Sequence, residues 1–324
     1  MKAVVVEKYD TIDNIPLKDV ALPEVSAGQV RVKIQAASIG FVDGLKVQGL
    51  YQTKDALPFT PGQEFAGIVD AVGPGVTGLA PGQTVMGMAR SGALAEYIVV
   101  PLAMVTAIPD GIAPEVAAAF RVNYLTALYA LAERGSLKPG EILLVLGAAG
   151  GVGIAAVQVG KLLGARVIAA ASTEEKRKFA SEHGADATID YTQANWRDVL
   201  KELTGDHGAD VIYDPVGGDI TDQSLRCIAW NGRLLVIGFA SGRIPEVKLN
   251  RVLLKNIAIV GLHWGAHQMN EPERIPETFA GLFEMHRQGR IDPVIYRSYG
   301  LDQVPAALEA LGSRASYGKV IVAP

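Results

Sequence analysis

The sequence predicts an α/β protein in which a doubly wound parallel sheet follows a separate β-rich domain. Three observations support this prediction. A glycine-rich turn joins an apolar strand to a helix within 142–161, strands and helices then alternate, and residues 1–108 hold short β-type runs broken by Gly and Pro. Alternating strands and helices are typical of a parallel sheet covered on both faces. A chain of 324 residues is long enough for two such domains.

The glycine-rich turn is the centre of the second predicted domain. Residues 142–147 are apolar at almost every position, as in a buried parallel strand. We predict that Gly150 lets the backbone approach a ligand and that Gly153 lets the following helix pack tightly on the strand. The helix N-terminus offers unpaired N–H groups and a partial positive charge, which suits the pyrophosphate of a dinucleotide. The predicted contacts in the turn are Ala149, Gly150, Gly151, Val152 and Gly153.

The first domain is predicted to be a β-barrel. Its clearest strands lie at 29–35, 65–72 and 95–100. The first of these alternates polar and apolar residues, as a half-buried strand does. Pro-Gly pairs at 74–75 and 81–82 mark turns.

Helical composition begins near Pro114, at 115–120 and 125–133. The strands predicted for the parallel sheet lie at 142–147, 166–171, 187–190, 210–214, 233–238 and 257–262, with helices at 174–182 and 196–203. The tail holds a helix ending near Gly289, another at 304–311 and a last strand at 319–322. That strand is predicted to return to the β-rich domain. The predicted domains are therefore 1–122 with 267–324, and 123–266.

Composition excludes several classes of protein. The apolar share is 49%, the charged share 20% and the net charge −4, as in an ordinary soluble domain without a nucleic-acid partner. The N-terminal residues do not resemble a signal peptide, and no apolar run reaches the roughly 18 residues of a membrane span. The single cysteine, Cys227, fits a reducing compartment. We expect a cytoplasmic protein without a membrane partner.

The end of the second strand favours NADPH over NADH. An NAD site usually places an acidic residue there, about 20 residues after the glycine turn. Here the neutral Ser172 follows the strand, and Lys176 or Arg177 is placed to neutralise a 2′-phosphate. Glu175 fits a different role, because Ser172 and Glu175 have the spacing of a capping box.

The carboxyl ends of later strands supply further predicted cofactor contacts, since ligands bind there in a doubly wound sheet. Asp214 is interpreted as capping a turn rather than as a catalytic acid. Tyr191 is placed either beside the adenosine or as an aromatic residue at the sheet edge. The predicted contacts are Tyr191, Val216, Gly238, Phe239, Ala240 and His263, together with Ser172 and Lys176. Lys319, at the start of the last strand, is a further predicted contact.

Residues 140–161 carry a family resemblance. Gly140, Glu141, Leu144, the run Ala148–Gly151, Gly153, Gln158 and Lys161 match the signature of quinone oxidoreductases and zeta-crystallin, a zinc-free branch of the medium-chain dehydrogenase/reductases. Residues 61–67 and 318–319 resemble further motifs of that family. The resemblance implies a GroES-like catalytic domain, a Rossmann domain that binds NADPH, a cleft between them, and a homodimer joined through the last strand of the nucleotide sheet, about 257–262.

The residues expected to contact substrate are Tyr51, Asp43, Asn123 and Trp264. Tyr51 either donates a hydrogen bond to the reduced oxygen or packs on the wall of the cleft. Asp43 is favoured as a residue that orients a neighbour or caps a turn. Asn123, like the nearby Arg121, is a donor to a substrate oxygen or, alternatively, a helix cap. Relatives often carry asparagine where this chain has Gly40, which alters the surroundings of the nicotinamide.

The residue inventory argues against a metal site. A zinc site needs about three Cys, His or carboxylate ligands, and no Cys or His precedes His183. His263 and His267 are spaced i,i+4, but we interpret them as lining a loop. Without a metal, an electron-poor acceptor suits hydride transfer best. The predicted function is NADPH:quinone oxidoreductase; the alternatives are a reductase of an activated alkene (an enone or enal) and an NADPH-binding protein with little turnover.

Overall fold

Two units make up the fold in this computed structural model, which describes residues 1–51, 53–271 and 275–324, with the side chains of 267–269 and 275–277 excepted. The first unit joins Met1–Arg121 to Pro293–Pro324, and the second is Val122–Asp292. The first unit is thus discontinuous in sequence. Its second segment begins at 293 rather than at the predicted 267. None of the helices in the described residues is long and apolar enough to cross a membrane.

The first unit is built on a seven-stranded sheet, counted over the described residues, in the order β14-β15-β3-β4-β5-β7 with β6 also on β3. A small two-stranded sheet accompanies it. The strands are β1 (Lys2–Val4), β2 (Leu17–Asp19), β3 (Gln29–Ile39), β4 (Glu64–Val72), β5 (Thr84–Met88), β6 (Tyr97–Pro101), β7 (Val105–Ala107), β14 (Ile295–Gly300) and β15 (Lys319–Ala323). Its helices are α1 (Phe41–Val47) and α10 (Val304–Gly312), and α2 (Pro114–Leu128) continues into the second unit.

The core of the first unit explains why the last strand returns to it. Alternate apolar residues of β3 and β15 are buried in one cluster with Phe65 and Leu308. The two strands pair antiparallel, with Val320 opposite Ile39. The prediction that the final strand joins the β-rich unit is confirmed.

In the part of the second unit that the structure describes, six parallel strands form a sheet in the order β10-β9-β8-β11-β12-β13. This is the doubly wound Rossmann order, so the predicted fold class is confirmed. The strands are β8 (Ile142–Leu146), β9 (Arg166–Ala170), β10 (Ala187–Ile189), β11 (Ala209–Asp214), β12 (Ile228–Val236) and β13 (Ala258–Gly261). The helices are α3 (Gly151–Leu162), α4 (Glu174–Glu182), α5 (Trp196–Leu203), α6 (Gly218–Ser224), α7 (Leu249–Lys255), α8 (Trp264–Asn270) and α9 (Ile275–Arg287).

Gln158 of α3 explains why the second unit extends to Asp292. Its Oε1 accepts a hydrogen bond from the N–H of Asp292 (2.8 Å), and its Nε2 donates to the carbonyl of Asp292 (2.9 Å). The hydroxyl of Tyr124 lies 2.9 Å from Gln158 Oε1 and 2.8 Å from the same carbonyl, and it donates to one of them at a time. These bonds tie the chain to the second unit as far as residue 292. The signature glutamine is therefore a structural residue in this protein.

Two local predictions differ from the structure. Residues 264–267, interpreted as part of a loop, begin helix α8. The helical segments predicted at 115–120 and 125–133 form one continuous helix, α2, followed by a π-helical turn at Tyr129–Arg134.

Candidate functional site

Gly150 and Gly153, in the segment that follows β8, have different roles. A Cβ on Gly153 would lie 2.3 Å from the carbonyl oxygen of Gly147 and 2.8 Å from Cα of Ala148, so only glycine lets α3 pack this closely on the strand. A Cβ on Gly150 would meet nothing closer than Gly147 O at 3.4 Å, which is an ordinary contact. The protein's own packing therefore requires glycine at 153 but leaves open space at 150.

The N-terminus of α3 has no side-chain cap. Gly150 is the residue before the helix, no side chain among the described residues is found to accept from the first turn, and the N–H of Ile154 is the first to bond back, to Gly150 O at 2.8 Å. The N–H groups of Gly151, Val152 and Gly153 therefore have no acceptor within the helix. Open space in front of uncapped N–H groups fits a pyrophosphate.

Asn123 lies beside this helix N-terminus. Its Nδ2 is 2.6 Å from the position that a Cβ of Gly151 would occupy. The side chain is only 5% exposed, and none of the hydrogen bonds found among the described residues involves its amide. Asn123 stands in the middle of α2, so the helix-cap alternative is wrong. A buried amide next to uncapped N–H groups adds a further donor for an anion.

The end of β9 corrects the predicted capping box. Thr173, not Ser172, caps α4, and its hydroxyl accepts from the N–H of Lys176 at 3.3 Å. Ser172 is half-buried and outside the helix. Arg177 forms an ion pair with Asp190 at 3.0 Å, which engages its guanidinium. The contact between Lys176 and a 2′-phosphate stays a prediction.

The loops after β11 and β12 pack on each other. The carboxylate of Asp214 accepts from the N–H groups of Val216 and Gly217, both at 2.9 Å, and from the hydroxyl of Thr221. Burial raises the pKa of Asp214, and these hydrogen bonds oppose the rise. The structure thus places Asp214 as a turn-capping residue, as interpreted from the sequence. Phe239 lies against Gly217, where a Cβ would be 3.0 Å from the ring.

The other predicted contacts in these loops are accessible. Val216, Gly238, Phe239 and Ala240 are all half-buried, as is Tyr191, whose ring packs against the core of the second unit. A partly open apolar cavity of about 130 Å³ lies beside Phe239 and Val236. It is far smaller than the space that a dinucleotide needs.

Asp43 is a buried acid in the first unit. Its Oδ2 accepts from the N–H of Gly40 (2.8 Å) and its Oδ1 from the N–H of Gly62 (3.1 Å). Burial raises its pKa to about 6, although these hydrogen bonds and the charges of Lys319 and Lys46 lower it. The first bond caps the start of α1 and the second holds the backbone of Gly62 shortly before β4, so Asp43 has the orienting role favoured from the sequence.

A second buried acid, Glu64, was not singled out from the sequence. Its Oε2 lies 2.7 Å from the ammonium of Lys319 and accepts from the hydroxyl of Ser38 at 2.9 Å. Arg121 is also buried and is coupled electrostatically to Glu64, while burial lowers the pKa of Arg121 to about 10. The predicted contact between Lys319 and a cofactor stays a prediction, and the structure pairs its ammonium with Glu64.

The remaining predicted residues lie in different surroundings. Tyr51 is half-buried in the segment that follows α1. Trp264 is buried at the start of α8, with its ring 5.9 Å from that of Tyr129, and His263 precedes it in an exposed position. The side chain of His267 lies outside the described residues. In the described part of the chain, no group of three or more His, Cys, Asp or Glu side chains is placed to hold a metal ion.

Comparison with known proteins identifies the family. The model of the alcohol dehydrogenase GroES-like domain matches residues 26–110, and that of the zinc-binding dehydrogenase matches residues 151–282. The quinone oxidoreductase-like protein 2 homolog of Nematostella vectensis is 43% identical over 92% of this chain and 82% of its own length. The chain belongs to the medium-chain dehydrogenase/reductase family. The second domain model is named for zinc binding, yet no Cys or His stands in the first 182 residues of this family member.

Solved structures agree with this assignment. Escherichia coli quinone oxidoreductase complexed with NADPH matches with a TM-score of 0.94 and 29% identity over the whole of both chains. The enoyl reductase CurK matches with a TM-score of 0.89 and 25% identity over 99% of this chain and 98% of its own. Medium-chain dehydrogenase/reductases of two different named activities are thus similar to this protein over its whole length.

Proposed function

We propose that this protein is an NADPH-dependent, zinc-independent oxidoreductase that transfers hydride to a quinone. The observation on which the proposal depends is the open, uncapped N-terminus of α3 behind Gly150. A solved relative is complexed with NADPH, which supports the choice of cofactor. When bound, NADPH supplies the hydride. The chain's own residues bind and orient the two reactants and exclude water.

The proposed cofactor contacts follow from charge and position. The N–H groups at 151–153, which have no acceptor within the helix, and the amide of Asn123, for which no hydrogen bond is found among the described residues, would hold the pyrophosphate. This moves Asn123 from the predicted substrate contacts to the cofactor. Ser172 and Lys176 would hold the 2′-phosphate, because the end of β9 carries no acid that would repel it.

The proposed acceptor class follows from the donor set. A Lewis acid aids the oxidation of an alcohol and the reduction of an unactivated ketone. The first 182 residues contain no Cys or His to hold zinc as that Lewis acid. A quinone accepts hydride without such help. Tyr51 supplies a half-buried hydroxyl that would donate to the reduced oxygen, and its neighbour Leu50 is 67% exposed, an apolar surface suited to a flat ring. The likeness to CurK enoyl reductase makes an activated alkene the second candidate acceptor.

An acceptor screen tests the proposed function. Purified protein is mixed with NADPH or NADH and with a panel of small quinones and 2-alkenals, with and without a chelator. We expect oxidation of NADPH to accelerate with a quinone and to be unchanged by the chelator. Faster turnover of an alkenal than of any quinone would favour the second candidate. Tight binding of NADPH without turnover of any acceptor would leave a nucleotide-binding protein, and dependence on added zinc would contradict the proposal.

The variant Lys176→Ala tests which residue reads the 2′-phosphate. We expect its affinity for NADPH to fall by about tenfold to a hundredfold, as for the loss of one charge-assisted hydrogen bond, while its affinity for NADH changes less than twofold. Fluorescence titration with both cofactors measures the two affinities. Arg177→Ala is the matched control, because its charge is paired with Asp190. Equal losses for both cofactors would show that Lys176 does not read the phosphate.

We also propose a homodimer joined through β13. This strand pairs only with β12 among the described residues, so its other edge is available. Exposed apolar side chains lie on β13 and on α7, the helix that precedes it in the chain: Ile259 of β13 is exposed, and Leu249 and Leu253 of α7 are each 78% exposed. An unpaired edge with an apolar surround is a site for association, and antiparallel pairing of two copies closes the assembly by twofold symmetry. A cytoplasmic location belongs to the same proposal and is tested by cell fractionation.

The substitution Leu253→Glu is expected to convert the dimer into a monomer, because each copy would then bring a charge into the proposed apolar interface. Sedimentation velocity measures the change in mass. Leu22→Glu is the control, since Leu22 is also exposed but belongs to the first unit. A wild-type protein that sediments as a monomer, or a variant that remains a dimer, would contradict an interface at β13.

A further inference from the structure

Tyr9 joins the two ends of the segment that carries Tyr51. At one end, Gly49 has φ +68° and packs so closely on Tyr9 that a Cβ would lie 2.8 Å from Cγ of the ring. At the other end, the hydroxyl of Tyr9 donates to the carbonyl of Asp55 at 2.6 Å. The ammonium of Lys54 also lies 5.5 Å from the centre of the Tyr9 ring. One side chain therefore contacts both ends of residues 49–55.

The carboxylate of Asp55 adds a second set of anchors. Its Oδ1 lies 2.5 Å from Nε of Arg90, and its Oδ2 lies 3.0 Å from Nζ of Lys46. Arg90 also donates to the carbonyl of Lys54 at 2.8 Å, and Lys46 donates to the carbonyl of Arg90. The side chains of Asp55 and Lys46 are almost completely buried.

Burying the charges of Asp55 and Lys46 costs free energy, and the stability of the fold does not by itself explain why they are buried. The desolvation of a buried ion pair often cancels its Coulombic attraction, so such a pair contributes little net stability. Its geometry, however, tolerates few arrangements, which makes it suited to fixing one conformation of a connecting segment. Here the fixed segment is a surface connection between α1 and β4 rather than part of the core.

We propose that Asp55 and Tyr9 are positioning residues, which hold the two ends of the segment that carries Tyr51 and so place the hydroxyl of Tyr51 for the acceptor. This inference rests on the proposed function, in which Tyr51 donates to the reduced oxygen. Holding the donor in place before the acceptor binds removes the entropy cost of ordering the segment in the complex. A misplacement of about 1 Å costs on the order of a hundredfold in rate.

The test compares Asp55→Asn and Tyr9→Phe with the wild type. Asp55→Asn keeps the shape but removes the charge, and Tyr9→Phe keeps the ring on Gly49 but removes the hydroxyl. We expect each variant to lower kcat/KM for the quinone by about tenfold or more while KM for NADPH changes less than twofold. Asp70→Asn is the matched control, because Asp70 pairs with Arg31 Nε at 2.6 Å in the same unit but outside the segment. It should behave as the wild type.

A double variant separates positioning from a merely structural role. If Asp55 acts through the Tyr51 hydroxyl, Asp55→Asn should lower kcat/KM far less in a Tyr51→Phe background than in the wild type. Equal losses in both backgrounds, or an equal rise in KM for NADPH, would overturn the inference. If Tyr51→Phe impairs quinone reduction but Asp55→Asn and Tyr9→Phe do not, the inference fails while the proposed function stands.

Hydrogen exchange supplies a readout that needs no turnover. The amides of residues 50–55 should exchange faster in Asp55→Asn and Tyr9→Phe than in the wild type or Asp70→Asn. Unchanged exchange would overturn the inference even if every acceptor proved inactive. Faster exchange in a protein that reduces no acceptor would support the anchoring but refute both the proposed function and the positioning of Tyr51 for it.

Discussion

We expect Gly150→Val to abolish NADPH binding while the protein still folds. Gly150 has φ −71° and ψ 166°, an extended conformation that valine adopts without strain. A Cβ at this position makes only an ordinary contact with Gly147 O. The two methyl groups of valine would instead fill the open space in front of the N–H groups of α3. We expect a loss of about a hundredfold or more in affinity, equivalent to roughly 3 kcal/mol.

Titration calorimetry with NADPH measures the affinity, and thermal unfolding without NADPH measures the fold. Gly153→Ala is the informative comparison, because its Cβ would collide with the backbone of residues 147 and 148 and should lower the unfolding temperature. Gly150→Val is thus expected to lose affinity for NADPH, and Gly153→Ala is expected to lose stability. An affinity retained in Gly150→Val would place the pyrophosphate elsewhere.

The second large effect is expected from Lys319→Met. This substitution removes the ammonium that lies 2.7 Å from Glu64 and leaves a buried carboxylate without its closest cation. Breaking a buried pair by removing one partner typically costs about 3–5 kcal/mol. Methionine fills a similar volume, so the loss comes from the charge rather than from a cavity. Urea unfolding followed by hydrogen exchange at β3 and β15 measures the effect on the first unit.

The double variant Glu64→Gln with Lys319→Met is the control, since it removes both charges. We expect it to recover part of the lost free energy of unfolding, because the buried Arg121, which is coupled to Glu64, keeps its charge. A single variant as stable as the wild type, or a double variant as unstable as the single, would contradict the assignment of a buried ion pair. The affinity for NADPH tests the predicted contact between Lys319 and the cofactor separately. A loss of affinity in Lys319→Met that is not restored in the double variant would support that contact.

Local sequence patterns predicted the second unit well. Residues 142–146 form β8 because five consecutive apolar side chains are buried there, which suits a strand covered on both faces. Helices α4 and α5 begin and end at the predicted residues, 174–182 and 196–203. In contrast, β14 at Ile295–Gly300 was not predicted, because it mixes polar and apolar residues without clear alternation.

The candidate site was predictable only where its residues are close in sequence. The glycine turn and the end of β9 are local features, although the cap of α4 lies one residue later than predicted. The pair of Glu64 and Lys319 joins residues 255 positions apart, and Tyr9 reaches Asp55 across 46 positions. Nothing in the neighbourhood of any of these residues marks its partner, so only the folded chain reveals them.

The pairing of β15 with β3 has a consequence for folding during synthesis on the ribosome. All residues of the second unit have been synthesised once residue 292 has been added. The pair of Ile39 in β3 with Val320 in β15 can form only after residue 320 has been added. At about 5–20 residues per second, roughly 15–60 seconds pass between the synthesis of these two positions. During that interval residues 37–39 of β3 lack the strand with which they pair in the folded protein, and an unpaired strand edge can pair with other nascent chains. We therefore expect the second unit to fold before the sheet of the first unit is complete.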